Sequence, residues 1–231
     1  MPIKVHASLA PPDPYMDFSL AHVEKIYRSW GRHPLFYKAA CAITFLGRER
    51  RLRQMAVDAL ALRHGDTVLD VACGTGLNFE FLERAVGPKG NIVAFDYSKE
   101  MLEAAQKRAQ NRGWNNIRFL QGDAAELELD TPVNAVISVL GISAIPRHMM
   151  ALERAVAALR PNGNISIMDA RLPTGFWSMF NPLIAFVYTR WASWDYTKTI
   201  PNDIRRYIKD ANMETLNGGT IFIVHGPKPN P

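Results

Sequence analysis

Cysteine is scarce in this chain. Two occur among 231 residues, Cys41 and Cys73, too few for a disulfide framework, and no Cys-x-x-Cys pair or Cys/His cluster suggests a metal site. Long apolar runs are missing as well. No stretch of 18 or more apolar residues suggests a membrane span. The opening MPIKVHASLAPPDPYM carries prolines where a secretory signal would have its apolar core. Together these absences lead us to expect a soluble protein of the reducing cytoplasm. Internal repeats and low-complexity tracts do not stand out. One further shortage concerns glycine. The turn in VLDVACGTGLNF (68–79) has Gly74 and Gly76, but Phe79 stands where a dinucleotide fingerprint needs its third glycine. That counts against a nicotinamide dinucleotide.

What is present begins with charge. Residues 1–65 hold 10 Lys/Arg and 5 Asp/Glu, and residues 66–231 hold 17 of each. The whole excess of +5 therefore sits in the N-terminal segment, densest at Arg48-Glu49-Arg50-Arg51-Leu52-Arg53. Such a run suits either an anionic membrane surface or an ordinary solvated helix face.

From Thr67 onward strand-like and helix-like segments alternate. Thr67–Ala72, Asn91–Asp96, Ile117–Leu120, Val133–Leu140 and Asn164–Asp169 read as strands. Residues 76–86, the stretch from Ser98 to about Arg112, and Arg147–Leu159 have helical spacing, with Ser98 as an N-cap. Pro161-Asn162-Gly163 closes the last of these helices. Met213–Leu216 and Thr220–His225, joined by Asn217-Gly218-Gly219, form a hairpin signal. The expected fold is α/β: a doubly wound, seven-stranded, mostly parallel sheet ending in an antiparallel hairpin. Residues 1–60 are expected to form a helical lid or substrate segment and 61–231 the core. Within the core, 172–200 reads as an insertion carrying eight aromatic residues in 29.

Three carboxylates stand at strand ends. Asp70 stands near the end of the first strand, Asp96 closes the second, 20 residues beyond Gly76, and Asp123 follows the third. Asp70 would repel a pyrophosphate but suits an ammonium, and the spacing of Asp96 suits a ribose diol. Ammonium, diol, adenine amino group and a positive centre together describe S-adenosylmethionine.

At these residues the sequence resembles the class I S-adenosylmethionine-dependent methyltransferases. VLDVACGTG, IVAFDYSKEML, GDAAEL, VISVLGISAIP and ALRPNGNISIMD are similar to that family's successive motifs, with Ala72 where many members have glycine. The resemblance covers about residues 55–170 and the hairpin. It implies that Asp70, Ala72, Cys73, Gly74 and Gly76 surround the amino-acid end of the cofactor. Asp96 would hold the ribose, Tyr97 and Met101 would pack by the adenine, and Gly122, Asp123 and Ala124 would meet its edge. Val139 and Leu140 would line the methionine chain.

The acceptor is less defined. The strand-four segment SVLGIS (138–143) lacks the Asn/Asp-Pro-Pro-aromatic motif of nucleic-acid amino methyltransferases, and no RNA-binding domain accompanies it, which speaks against nucleic acid. DVACGTG, FLGRERRLRQMAV and GGTIFIVHGPKP resemble the menaquinone/ubiquinone C-methyltransferase group. GTGLNF and IYRSW…FYK resemble bacterial phospholipid and related amine N-methyltransferases. Both imply an apolar or lipid-like acceptor; the expectation places an amine nitrogen slightly ahead of a quinone ring carbon, with a non-catalytic cofactor-binding or membrane-associating module as the outside reading. His148 and Tyr27 are the candidate catalytic residues, and Tyr37, Trp177, Tyr188 and Trp191 the candidate acceptor contacts. The sequence gives no oligomeric state.

Overall fold

The computed structural model describes residues 19–33, 35, 36, 39, 45 and 47–230. Seven strands form one sheet: β1 (Thr67–Val71), β2 (Asn91–Asp96), β3 (Ile117–Gln121), β4 (Val133–Val139), β5 (Leu159–Ala170), β6 (Asn212–Leu216) and β7 (Ile221–Pro227), in the order β3-β2-β1-β4-β5-β7-β6. β1 pairs in parallel with both β2 and β4, while β7 runs antiparallel to β5 and to β6. The α-helices whose bounds are described are α1 (Leu20–Arg32), α2 (Glu49–Asp58), α3 (Phe79–Val86), α4 (Lys99–Arg112), α5 (His148–Ala157), α6 (Asn181–Ala192) and α7 (Ile200–Ile204). No described helix is long and apolar enough to cross a membrane.

Period-two alternation in the strands distributes the apolar residues between two faces. Val68, Ile92 and Ile137 join Leu52 and Ala56 of α2, Phe79 and Leu82 of α3 and Leu102 of α4 in one buried cluster. Leu69, Val71, Val93, Val136 and Ile165 face the other way, onto Ala151 and Leu152 of α5 and Ile204 of α7. Both faces are covered, so the strands read as almost continuous apolar runs. Because α2 is part of the first cluster and Asn164 Nδ2 donates to the Leu60 carbonyl, residues 49–60 are integrated with the sheet.

Two element boundaries differ from the expectation for physical reasons. The first helix after β1 starts at Phe79 instead of residue 76, because Asn78 is drawn down to bond Asp70. β5 begins at Leu159 and carries Pro161-Asn162-Gly163 within it, past a register shift against β4. There Asn162 N–H donates to the Lys228 carbonyl and Lys228 N–H to that of Gly163. Ser98 does cap α4, its hydroxyl accepting from Met101 N–H at 3.3 Å.

Candidate cofactor and acceptor cavities

The strand order reverses between β1 and β4, and the crevice at their carboxyl ends is where open α/β sheets place ligands. The loops there are tightly wound. Gly74 and Gly76 have φ of 56° and 73°, and so do two residues with side chains, Ala72 (55°) and Leu140 (60°). Gly141 lets the two loops touch: a Cβ on it would lie 2.6 Å from the Ala72 Cβ and 2.9 Å from Ser138 Oγ.

This crevice is lined by Ala72, Cys73, Gly74, Asp96, Tyr97, Gly122, Asp123, Ala124, Val139 and Leu140, all named from sequence. Asp96 is buried at its wall. One carboxylate oxygen accepts from Gly74 N–H at 2.7 Å and the other from Ser98 N–H at 2.9 Å, so its position is fixed before any ligand arrives. Burial pushes its carboxyl up to about 6, against the pull of the backbone amides. Asp123 accepts from Ala125 N–H at 2.8 Å and from Arg147 at 2.8 Å. Thr75 also lines the crevice, and its buried hydroxyl has no hydrogen-bond partner among the described residues. It is free to donate to the carboxylate of an amino-acid ligand. Cys73 is buried, and burial raises its thiol well above the ordinary range, which makes it a packing residue. These features fit S-adenosylmethionine: an ionisable acid for the diol, exposed loop backbone and a spare hydroxyl.

Three of the expected residues lie behind the lining. Gly76 shapes the turn, and Met101 is wholly buried in the first turn of α4, beside Gly31 of α1. Asp70 shares the face of β1 that carries Val68, so it points under α2 and α3. Both its oxygens accept from Asn78 Nδ2, at 3.0 and 3.1 Å, and Arg53 donates to Asn78 Oδ1 at 2.7 Å. Burial raises the Asp70 carboxyl to about 7, with Asn78 and Arg53 opposing. Asp70 therefore braces the glycine turn through Asn78. Sequence reading missed Asn78 and Arg53, since only tertiary packing brings α2 over β1.

α1 roofs the crevice through Leu20, Val23, Glu24 and Tyr27, leaving a free volume of about 80 Å³. It approaches closely because Gly31 presses on α4, where a Cβ would meet the Glu100 backbone at 2.6 Å. Two bonds tie α1 to the end of α6: Tyr27 hydroxyl to the Ala192 carbonyl (3.0 Å) and Trp30 Nε1 to that of Trp191 (2.9 Å).

A second cavity, of about 260 Å³, adjoins the first, and Tyr27 and Leu140 belong to the lining of both. Its walls include Trp30, Phe45, Ile184, Tyr188, Trp191 and Trp194, with Asp169 and Ser143 among the few polar groups. Asp169 is buried at the end of β5 and accepts from Ser143 Oγ (2.7 Å), Ser143 N–H (2.9 Å) and Ala170 N–H (2.8 Å). Burial raises its carboxyl above the usual range. It was not singled out from sequence, although a carboxylate at a fifth strand end was the available signal. Behind it, buried Lys198 donates to the Ser143 and Ile145 carbonyls and pins that turn.

Tyr27, Tyr188 and Trp191 thus meet at this cavity, whereas Trp177 is 61% exposed and outside it. Tyr37 lies outside the described residues. His148 lines neither cavity. It starts α5 and lies 3.2 Å from Asp203, and burial, aided by Lys198, keeps its imidazole below the ordinary value. The basic run 48–53 is also partly consumed by the fold: Arg53 is buried on Glu49 and Asn78, and Arg50 pairs with Glu80. Among the described residues no group of three or more metal-ligating side chains converges.

Residues 68–163 match the family described as a methyltransferase domain. A demethylmenaquinone methyltransferase of Desulfitobacterium hafniense is 26% identical over 241 residues, 93% of this chain and 94% of its own length. The enzyme of the same name from Lactobacillus johnsonii is 31% identical over 159 residues, 68% of this chain and 61% of its own length. The chain thus spans only about three fifths of that relative. Among solved structures, a methyltransferase dependent on the same cofactor, from Aquifex aeolicus, superposes with a TM-score of 0.58 at 18% identity, covering 76% of this chain and 89% of the other. A putative methyltransferase from Haloferax volcanii gives 0.63 at 17%, covering 88% and 98%. At these identities the structures establish the shared fold.

Proposed function

We propose that this chain, a class I S-adenosylmethionine-dependent methyltransferase, methylates a ring carbon of a hydroxylated, quinol-like acceptor with an apolar tail. The observation that carries the reading is Asp169, a buried carboxyl in the wall of an otherwise aromatic cavity that shares Tyr27 and Leu140 with the cofactor crevice. The name of the relatives, demethylmenaquinone methyltransferase, describes the same class of acceptor.

When bound, S-adenosylmethionine supplies an electrophilic methyl group whose bond to sulfur breaks as the acceptor takes it. The chain's own residues do the rest. Asp96, Gly74 and Thr75 hold the cofactor, and Tyr27 closes the junction between the cavities. The aromatic walls orient a flat ring and exclude water, which raises the effective concentration of the reacting pair. A phenolic carbon is nucleophilic only when its neighbouring hydroxyl gives up its proton. Asp169 accepts that proton, directly or through Ser143 Oγ, and a carboxyl held above its usual range is the stronger base. The ring hydrogen displaced by the methyl group leaves as a second proton to solvent while Asp169 returns its own, so the net reaction releases one proton. A neutral amine nitrogen, the acceptor favoured slightly by the sequence, already has its lone pair and needs mostly orientation.

The test is a labelled-methyl assay that offers a demethylated naphthoquinol with a short isoprenoid tail beside phosphatidylethanolamine, with product masses measured. Label in the quinol is the expected outcome. Label confined to the amine would overturn the reading.

A further inference from the structure

Helix α6 carries large apolar residues on both its inner and its outer side, with Arg190 at one edge, and a helix of that kind is normally covered on both sides. Here one side only is covered. Ile184, Tyr188 and Trp191 line the acceptor cavity, while Leu183, Phe186, Val187 and Arg190, spaced i, i+3, i+4 and i+7, face outward. Leu183 is 62% and Phe186 56% exposed. The 3₁₀ turn Gly175–Phe180 before the helix has no buried residue, and its Phe176 is 77% exposed. Across the cavity mouth, exposed Phe36 stacks on Trp30, which meets Trp191 edge-on, each pair at 5.8 Å. The apolar patch is therefore continuous with the rim of the cavity.

Charge identifies the occupant. Residues 171–194 contain Arg171 and Arg190 and no Asp or Glu, and residues 25–48 contain five Lys/Arg and no Asp or Glu. Arg190 lies over the Phe186 ring at 4.9 Å, its charge at the edge of the patch. On α1, Arg28 and Arg32 are already met by Glu24 and Glu100. Arg171 and Arg190 have no acid in their own segment, so a two-fold contact between copies of the α6 face would bring those like charges together. An apolar surface with exposed tryptophans and a cationic border suits the interface of an anionic bilayer. We propose that the outward stripe of α6 and the turn before it dock on an anionic lipid bilayer and seat the mouth of the acceptor cavity at the membrane surface. This deepens the proposed function and rests on its apolar-tailed acceptor. The acceptor ring then reaches Asp169 along the inner side of the same helix that contacts the bilayer, with its apolar tail left toward the membrane.

The experiment measures co-sedimentation of the full chain with vesicles of equal parts phosphatidylglycerol and phosphatidylcholine, and with phosphatidylcholine alone. The wild type is expected to prefer the anionic vesicles, and Leu183→Glu with Phe186→Glu to lose about a hundredfold in partitioning, from the apolar area no longer buried. The single variant Arg190→Glu should weaken binding to the anionic vesicles selectively, which keeps the test informative if the double variant fails to fold. Cofactor affinity and turnover of a short-tailed, water-soluble acceptor should stay at wild-type level in both. No preference for anionic vesicles, unchanged partitioning of a folded double variant, or a wild-type dimer that the double variant dissociates would each overturn the docking proposal. Turnover of the soluble acceptor without vesicle binding would leave the proposed reaction standing. Vesicle binding without methylation of any quinol would do the reverse.

Discussion

Replacing Asp96 with Asn removes the charge from a group whose two oxygens are already set by Gly74 and Ser98 N–H donors. The amide offers one acceptor where two are needed, so one buried backbone donor is left facing an NH2 group. A ribose diol would lose its two bonds to a charged acceptor, at about 1.5–3 kcal/mol each. Allowing for a remaining weak bond, the loss is about 3 kcal/mol, or roughly a hundredfold in Kd. Isothermal titration with S-adenosylmethionine and S-adenosylhomocysteine measures it, and a melting curve separates binding from folding. The pH dependence gives a second signature. Burial raises this carboxyl to about 6, so below that pH the free protein holds a proton that diol binding to the ionised form must expel. Wild-type affinity therefore rises as pH climbs through about 6 and levels off above it, with a limit of about tenfold per pH unit below. The Asn variant should lack that component. A Kd within about threefold of wild type, with the same pH profile, would refute the assignment.

Asp169→Asn should cut kcat by about 10²–10⁴-fold, the range of a general base, while leaving cofactor affinity unchanged; single-turnover kinetics beside titration would show the split. Ala72→Gly should stabilise the fold by about 1 kcal/mol, because it relieves a left-handed residue, whereas Gly141→Ala should destabilise it by driving a Cβ into the Ala72 methyl group; thermal melts decide both. His148→Asn should leave turnover within about threefold and cost about 1 kcal/mol of stability from the contact with Asp203. A collapse of kcat without a change in melting would restore His148 as a catalytic candidate.

The parallel sheet and the crevice were legible because both follow from local pattern. Apolar strands bounded by glycine turns, and acids one residue before a break, mark the carboxyl edge directly. The role of Asp70 was not legible from that pattern. Its spacing suggested a ligand contact, but alternation along β1 sends its side chain under α2, where Asn78 and Arg53 wait. Asp169 escaped notice although it obeys the same strand-end rule as Asp96, since its meaning depends on the aromatic insertion folding beside it. That insertion was visible as composition only. Which of its rings line the cavity and which face outward is decided by the phase of α6, so Tyr188 and Trp191 fell inside and Trp177 outside. The arginines at 48–53 illustrate the converse, a charge run partly consumed by pairing and burial.

The central claim is transfer of a methyl group to a ring carbon held in the aromatic cavity. Its most direct test is product NMR after turnover of the quinol with isotopically methyl-labelled S-adenosylmethionine, by wild type and by Asp169→Asn. The wild-type product should carry a labelled carbon–carbon bond on the ring, and the variant should form almost none of it. Label found on oxygen or nitrogen, or equal carbon labelling by both proteins, would contradict the claim.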